Sequence, residues 1–85
     1  MSQSVQKKIV DSRGSFCPGP ITDLFKVYRT SNVGDFIEIW ATDPAAKSDF
    51  QAWASRSGNT IVEMVDEPAG YIRILLHIDR KPGSH

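Results

Sequence analysis

From Tyr71 onward the chain alternates strictly. Ile72, Ile74, Leu76 and Ile78 fall on one side, and Tyr71, Arg73, Leu75, His77 and Asp79 on the other. A period of two is the signature of a β-strand, because successive side chains point to opposite faces. The run predicts a strand from Tyr71 to about Arg80, with one aliphatic face to bury. An isolated strand or hairpin is marginal in water, so this strand requires a sheet and a covering layer.

The rest of the chain supplies both. Ile21, Leu24, Phe25 and Tyr28 recur at i, i+3, i+4 and i+7, predicting a helix from Pro18 to about Thr30 with one apolar face. Asp43-Pro44 reads as a second helix start, with Asp43 as cap and Pro44 as the first helical residue. That helix buries Ala46, Phe50, Trp53 and Ala54, with Ser57 at its margin, and Gly58-Asn59 stops it. Three further strands are expected: Val5 to Val10, Phe36 to Ala41 with Ile37, Ile39 and Ala41 on one side, and Thr60 to Val65. Asp11-Ser12-Arg13-Gly14-Ser15, Ser31-Asn32-Val33-Gly34-Asp35 and Asp66-Glu67-Pro68-Ala69-Gly70 are loops by composition.

The order is βαβαββ, an α+β arrangement. Its simplest architecture is a mixed four-stranded sheet with two helices on one face. A single domain over residues 5–81 is expected, with flexible ends at 1–4 and 82–85. One sheet face is left without helices, and the alternation puts Phe36, Trp40, Met64, Tyr71 and Leu75 on it. Two readings fit: a partly covered sheet face or a shifted register on the one hand, or a protein-docking patch on the other.

Composition narrows function mostly by exclusion. Among 85 residues, ten Lys plus Arg balance ten Asp plus Glu. A net charge of zero argues against direct nucleic-acid binding, which rests on phosphate neutralisation. No apolar run approaches a membrane span of about 20 residues, and the first eight residues lack the apolar segment of a signal peptide. The single cysteine rules out an internal disulfide, a CxxC redox pair and a structural zinc site, and it favours the reducing cytoplasm. His77 alternates outward on the last strand and His85 lies in the tail, so no metal-ligand spacing exists. No glycine-rich phosphate cradle occurs. Neither metal nor cofactor is expected.

That cysteine stands in Cys17-Pro18-Gly19-Pro20. Proline is tolerated at the first helical position, where its missing amide would lack a partner in any case. Cys17 therefore falls in or beside the cap of the first helix. The positive end of the helix dipole and free amides there, those of Gly19 and Ile21 among them, favour a thiolate. Lone cysteines are often small buried hydrophobes. Prolines on one side and a Gly/Ser loop on the other suit an exposed junction instead. Gly19 has no side chain to block approach to sulfur.

Two neighbours are candidate helpers. Arg13 can lower the thiol pKa or hold an anionic cargo, or it can simply pair with Asp11. Asp11 reads as a loop-shaping residue rather than a base.

Asp11-Ser12-Arg13-Gly14 followed by Cys17-Pro18-Gly19-Pro20 resembles the TusA/SirA/YedF family of small sulfur-carrier proteins. Gly34-Asp35 before a strand, Asp43-Pro44 before the second helix, Gly58-Asn59 and the closing Ile/Leu-rich strand extend the resemblance over about residues 9 to 81. It implies a two-layer α/β sandwich and a Cys17 that carries sulfane sulfur as a persulfide or thiosulfonate. Such a chain is a sulfurtransferase-type covalent carrier rather than a stand-alone turnover enzyme. The implied partners are sulfur-donor and sulfur-acceptor proteins of rhodanese, cysteine desulfurase or DsrE-like type. Destinations in the family include tRNA thiolation, cofactor biosynthesis and sulfur oxidation. A basic residue at Lys26 also matches the family, either flanking a docking surface or simply solvated. Two other readings stay open: a non-catalytic interaction or regulatory module of the same fold, and a thiol redox sensor.

Overall fold

The computed structural model describes residues 5–15 and 19–81. In chain order its elements are β1 (Lys7–Ser12), α1 (Gly19–Thr30), β2 (Phe36–Ala41), α2 (Ala46–Ser57), β3 (Thr60–Glu67) and β4 (Tyr71–His77). The four strands form one sheet in the order β1-β2-β4-β3. β1 runs parallel to β2, and β4 is antiparallel to both β2 and β3. The expected βαβαββ order and mixed sheet are therefore present.

Register explains the two faces. Val10, Ile39, Ile74 and Met64 stand side by side across the sheet, as do Lys8, Ile37, Leu76 and Ile61. Leu24 and Tyr28 of α1 and Ala46, Phe50 and Ala54 of α2 join Val10, Ile37, Ile39, Ile74 and Leu76 in a single buried cluster. Both helices thus cover the same face, the two-layer arrangement. Tyr28 and Trp53 meet edge to face at 5.0 Å between centroids and tie the helices together.

Several details differ from the sequence reading. β1 begins two residues later than expected and continues to Ser12, taking in Asp11 and Ser12. Its parallel ladder to β2 outweighs the polar composition of those two residues. Ile9 is exposed on the open face. α2 starts at Ala46 rather than Pro44, with Ala45 at the cap position. Asp43 still acts one turn earlier: its carboxylate accepts the Ala45 amide at 3.0 Å, and its carbonyl accepts that of Ala46. Phe25 is exposed, while Ile21 and Val27 pack against the core, so the buried stripe of α1 leans away from Phe25. Gly58 ends α2 in the left-handed conformation at φ +78°, donating to Ala54 O, as its sequence position suggests.

Met64 is a correction. The alternation put it on the open face, but it packs against the core. A register shift between Ile61 and Glu63 leaves Val62 as an extra residue, so Ile61 and Met64 share the helix-covered side. Phe36, Trp40, Tyr71 and Leu75 do occupy the open face.

That face is dressed by its own polar side chains. Glu38, in its middle, is only 5% exposed. Lys7 pairs with it at 2.9 Å, and the Trp40 indole N–H donates to it at 2.6 Å. Arg73 binds Glu63 at 2.8 Å and Glu67 at 2.7 Å, and approaches Glu38 at 4.0 Å. Burial pushes the Glu38 carboxyl up; the Lys7 and Trp40 hydrogen bonds and the nearby cations outweigh it and leave the group below the usual glutamate range.

The end of the molecule opposite α1's start is closed by Asp35. Its carboxylate accepts the amides of Asn32 at 2.9 Å and Gln6 at 3.3 Å, and Gly34 supplies the positive φ of the turn. Lys81 donates to Arg29 O at 2.9 Å and also to Ser31 O, placing a cation on the C-terminal end of α1.

Candidate functional site

The segment carrying Cys17 joins the last residue of β1 to the first turn of α1. Phe16, Cys17 and Pro18 lie outside the described residues, so the expectation that Pro18 opens the helix with Cys17 at its cap concerns residues not described. What the structure does describe is the frame on either side.

On the strand side, Ser12 is 1% exposed and its hydroxyl donates to Asp23 Oδ2 at 2.8 Å, fastening the end of β1 to the second turn of α1. Ser12-Arg13-Gly14-Ser15 is a tight turn. The Ser15 amide donates to Ser12 O at 3.1 Å, and Gly14 takes φ +86°, which a side chain would disfavour. The Gly14 amide donates to Thr42 Oγ1 at 2.8 Å, linking this loop to the one after β2.

On the helix side, Pro20 is buried and α1 begins at Gly19. A Cβ on Gly19 would stand 3.1 Å from the Ser15 Cβ. The two ends of the Cys17 segment therefore lie side by side, in an approach only glycine allows without displacement. A helix start also presents amides without intrahelical acceptors, and Gly19 and Ile21 both carry one here.

Arg13 does not stand free. Its Nε and Nη2 donate to the two carboxylate oxygens of Asp11 at 2.8 and 2.7 Å, and its amide donates to Asp11 Oδ1 at 3.2 Å. The side-chain hydrogen bond lowers the Asp11 carboxyl below the usual aspartate range and raises the Arg13 guanidinium in return. The guanidinium carbon lies 5.0 Å from the centroid of Trp40 and 5.3 Å from that of Tyr71. Those rings are 5.6 Å apart and tilted at 42°. The pairing of Arg13 with Asp11, one of the readings the sequence left open, is present. The aromatic seat was not read from the sequence. Trp40 and Tyr71 were placed on the same face, but nothing local ties either to Arg13.

The remaining candidates are dispersed. Lys26 is exposed on α1 beside Phe25, itself 43% exposed, and Arg29, whose guanidinium lies 6.0 Å from the Phe25 ring. His77 faces the open side, where it contacts the Phe36 ring and Asp79 Oδ1 at 2.8 Å. Among the described residues no three His, Cys, Asp or Glu side chains gather to hold a metal ion. Nor is any described helix long and apolar enough to cross a membrane.

The C-terminal ends of β1 and β2, the loop holding Thr42 and the β3–β4 hairpin all lie at the end of the sheet where α1 starts. A shallow cavity of about 260 Å³ opens there, lined by Thr42, Glu67 and Tyr71 among others. The carboxyl ends of parallel strands are where open sheets commonly place their functional loops.

Known proteins share this frame. Residues 8–78 match the family model described as sulfurtransferase TusA. A protein of Archaeoglobus fulgidus with a provisional sulfur-carrier name is 34% identical over 80% of this chain and 92% of its own length. The sulfur carrier protein TusA of Allochromatium vinosum is 34% identical over 68% of this chain and 76% of its own. The crystal structure of a SirA-like protein from Desulfitobacterium hafniense superposes with a TM-score of 0.74 at 18% identity, covering 85% of this chain and 97% of that one, a likeness of fold. With the match spanning β1 through β4, the chain belongs to the sulfurtransferase TusA family.

Proposed function

We propose that the protein is a covalent sulfur carrier whose working atom is Cys17 Sγ. The observation that carries this reading is the position of the only cysteine. It is two residues before the first described residue of α1, within a family match whose named members are sulfur carriers.

The chemistry is two exchanges at sulfur. The Cys17 thiolate attacks the outer sulfur of a donor persulfide. One S–S bond forms, the donor's breaks, and the donor leaves as a thiolate. An acceptor thiolate then attacks the outer sulfur now on Cys17 and regenerates the Cys17 thiolate. No net oxidant or reductant is needed. The helix start supports the anion, through the dipole and the amides of Gly19 and Ile21. Pro18, Gly19 and Pro20 fix and clear the approach, while Asp11 and Arg13 hold the preceding turn.

Partners follow from the mechanism. They are a donor and an acceptor, of rhodanese, cysteine desulfurase or DsrE-like type, working in the cytoplasm. The exposed Phe25, Lys26 and Arg29 suit docking against an apolar and acidic surface. A thiosulfonate on Cys17 is the alternative cargo.

Intact-mass analysis tests the reading. Incubation with a persulfide, thiosulfate or tetrathionate donor is expected to add a sulfur-bearing group to Cys17. Reductant removes that group, and a thiol acceptor protein takes its sulfur. An adduct of oxygen alone would instead make the protein a redox sensor, and an inert thiol would make it a non-catalytic module.

A further inference from the structure

The open sheet face and the Ser12–Ser15 turn that leads toward Cys17 are joined by side-chain contacts. Arg13 leaves the backbone one residue after β1 and lays its guanidinium against Trp40 and Tyr71, while Asp11 grips the same group with two hydrogen bonds. Trp40 is held in place by its own bond to Glu38. Glu38 is held by Lys7, and Arg73 lies within reach of both Glu38 and the hairpin residue Glu67. The turn that Arg13 anchors ends at Ser15, whose side chain abuts Gly19 at the start of α1. Among the described residues, Arg13 is the side chain that ties this turn to the aromatic rings of the open face, beside the Gly14–Thr42 and Ser12–Asp23 hydrogen bonds that hold it elsewhere.

The geometry points to Arg13 as a positioning residue for the thiol: seated on Trp40 and Tyr71, it pins the Ser12–Ser15 turn to the open face and so sets where the Cys17 segment begins. Its charge is directed at Asp11 and two ring faces. A flat guanidinium that forks onto a carboxylate while lying against rings cannot be replaced by an ammonium. The inference rests on Cys17 being the working thiol.

Alkylation of Cys17 by iodoacetamide tests it without any sulfur cargo, so its outcome is separate from that of the carrier reading. With one cysteine in the chain, intact mass reports Cys17 alone. Trp40→Leu removes no charge, yet it is expected to change the alkylation rate at neutral pH in the same direction as Arg13→Gln, by on the order of tenfold. The double variant should depart from the wild-type rate no further than the stronger single one, because both remove the same contact. Arg13→Lys leaves the rings and the charge in place and is expected to behave like Arg13→Gln. It covers the case in which Trp40→Leu fails to fold. Wild-type rates in Arg13→Lys, or in a folded Trp40→Leu variant, would overturn the proposal; so would unchanged rates in Arg13→Gln.

Discussion

Trp40 donates its indole N–H to Glu38 at 2.6 Å, from two residues further along the same strand and on the face that no helix covers. The bond places a carboxylate under a large ring in the middle of an otherwise open sheet, with Lys7 as counter-ion. Glu38→Gln keeps an acceptor for the indole but discards the charge. It is expected to destabilise the fold by about 1 kcal/mol, since Lys7 is half exposed and recovers its hydration. Urea unfolding of the variant beside Lys7→Met checks this, because the double variant should cost less than the sum.

Acid should weaken the fold through the same group and two others. Asp35 is held below its ordinary value of 3.8, chiefly by the Asn32 amide, and Asp79 by the Thr60 hydroxyl. Glu38 is held below 4.5 despite burial. In each case the unfolded chain binds protons more tightly than the folded one. Stability is therefore fully present above the ordinary values and is lost as the pH falls through the lower folded ones. Unfolding free energy measured from neutral pH downward should stay level and then decline below about pH 4.5. The Asp35→Asn variant should show a shallower decline.

Phe25 and Phe50 separate core from surface. Phe50 is fully buried and Phe25 is 43% exposed. Phe50→Ala is expected to cost about 3–5 kcal/mol, a large part of the stability of a small domain. Phe25→Ala should change it by no more than about 0.5 kcal/mol, because its ring stays exposed to water. Calorimetry of the two variants side by side distinguishes them.

Gly58 holds φ +78°, and a Cβ there would come within 2.7 Å of the Arg80 Cδ. Arg80 is a flexible, exposed side chain and can move aside, so the backbone conformation dominates. Gly58→Ala should cost about 1 kcal/mol, and Gly58→Asn less, because asparagine tolerates the left-handed region better. Thermal melts of both variants give the comparison.

The fold could be read from the sequence where one period persisted long enough to outvote its neighbours. Tyr71–His77 alternates without interruption, and Gly58 is a stop set by the local backbone, at φ +78°. Elsewhere tertiary context decided. The strand start was misread because Val5 is apolar yet exposed, whereas Asp11 and Ser12 are polar yet paired to Trp40 and Ala41. Met64 was misplaced because one extra residue at Val62 reverses every later position, and a bulge leaves no compositional mark. Phe25 looked like a core residue by spacing alone, but the stripe of α1 follows where α2 and the sheet lie. At the candidate site, the turn glycine and the Asp11–Arg13 pair could be read from local spacing. The Trp40–Tyr71 seat depends on the pairing of β2 with β4 and on how the loop folds back, so it could not.

The account's central claim is tested most directly by the intact mass of the wild-type chain and of Cys17→Ser after identical exposure to a persulfide donor. One reductant-labile sulfur on the wild type and none on the variant is the expected result. Equal uptake by both, or none by the folded wild type, would contradict it.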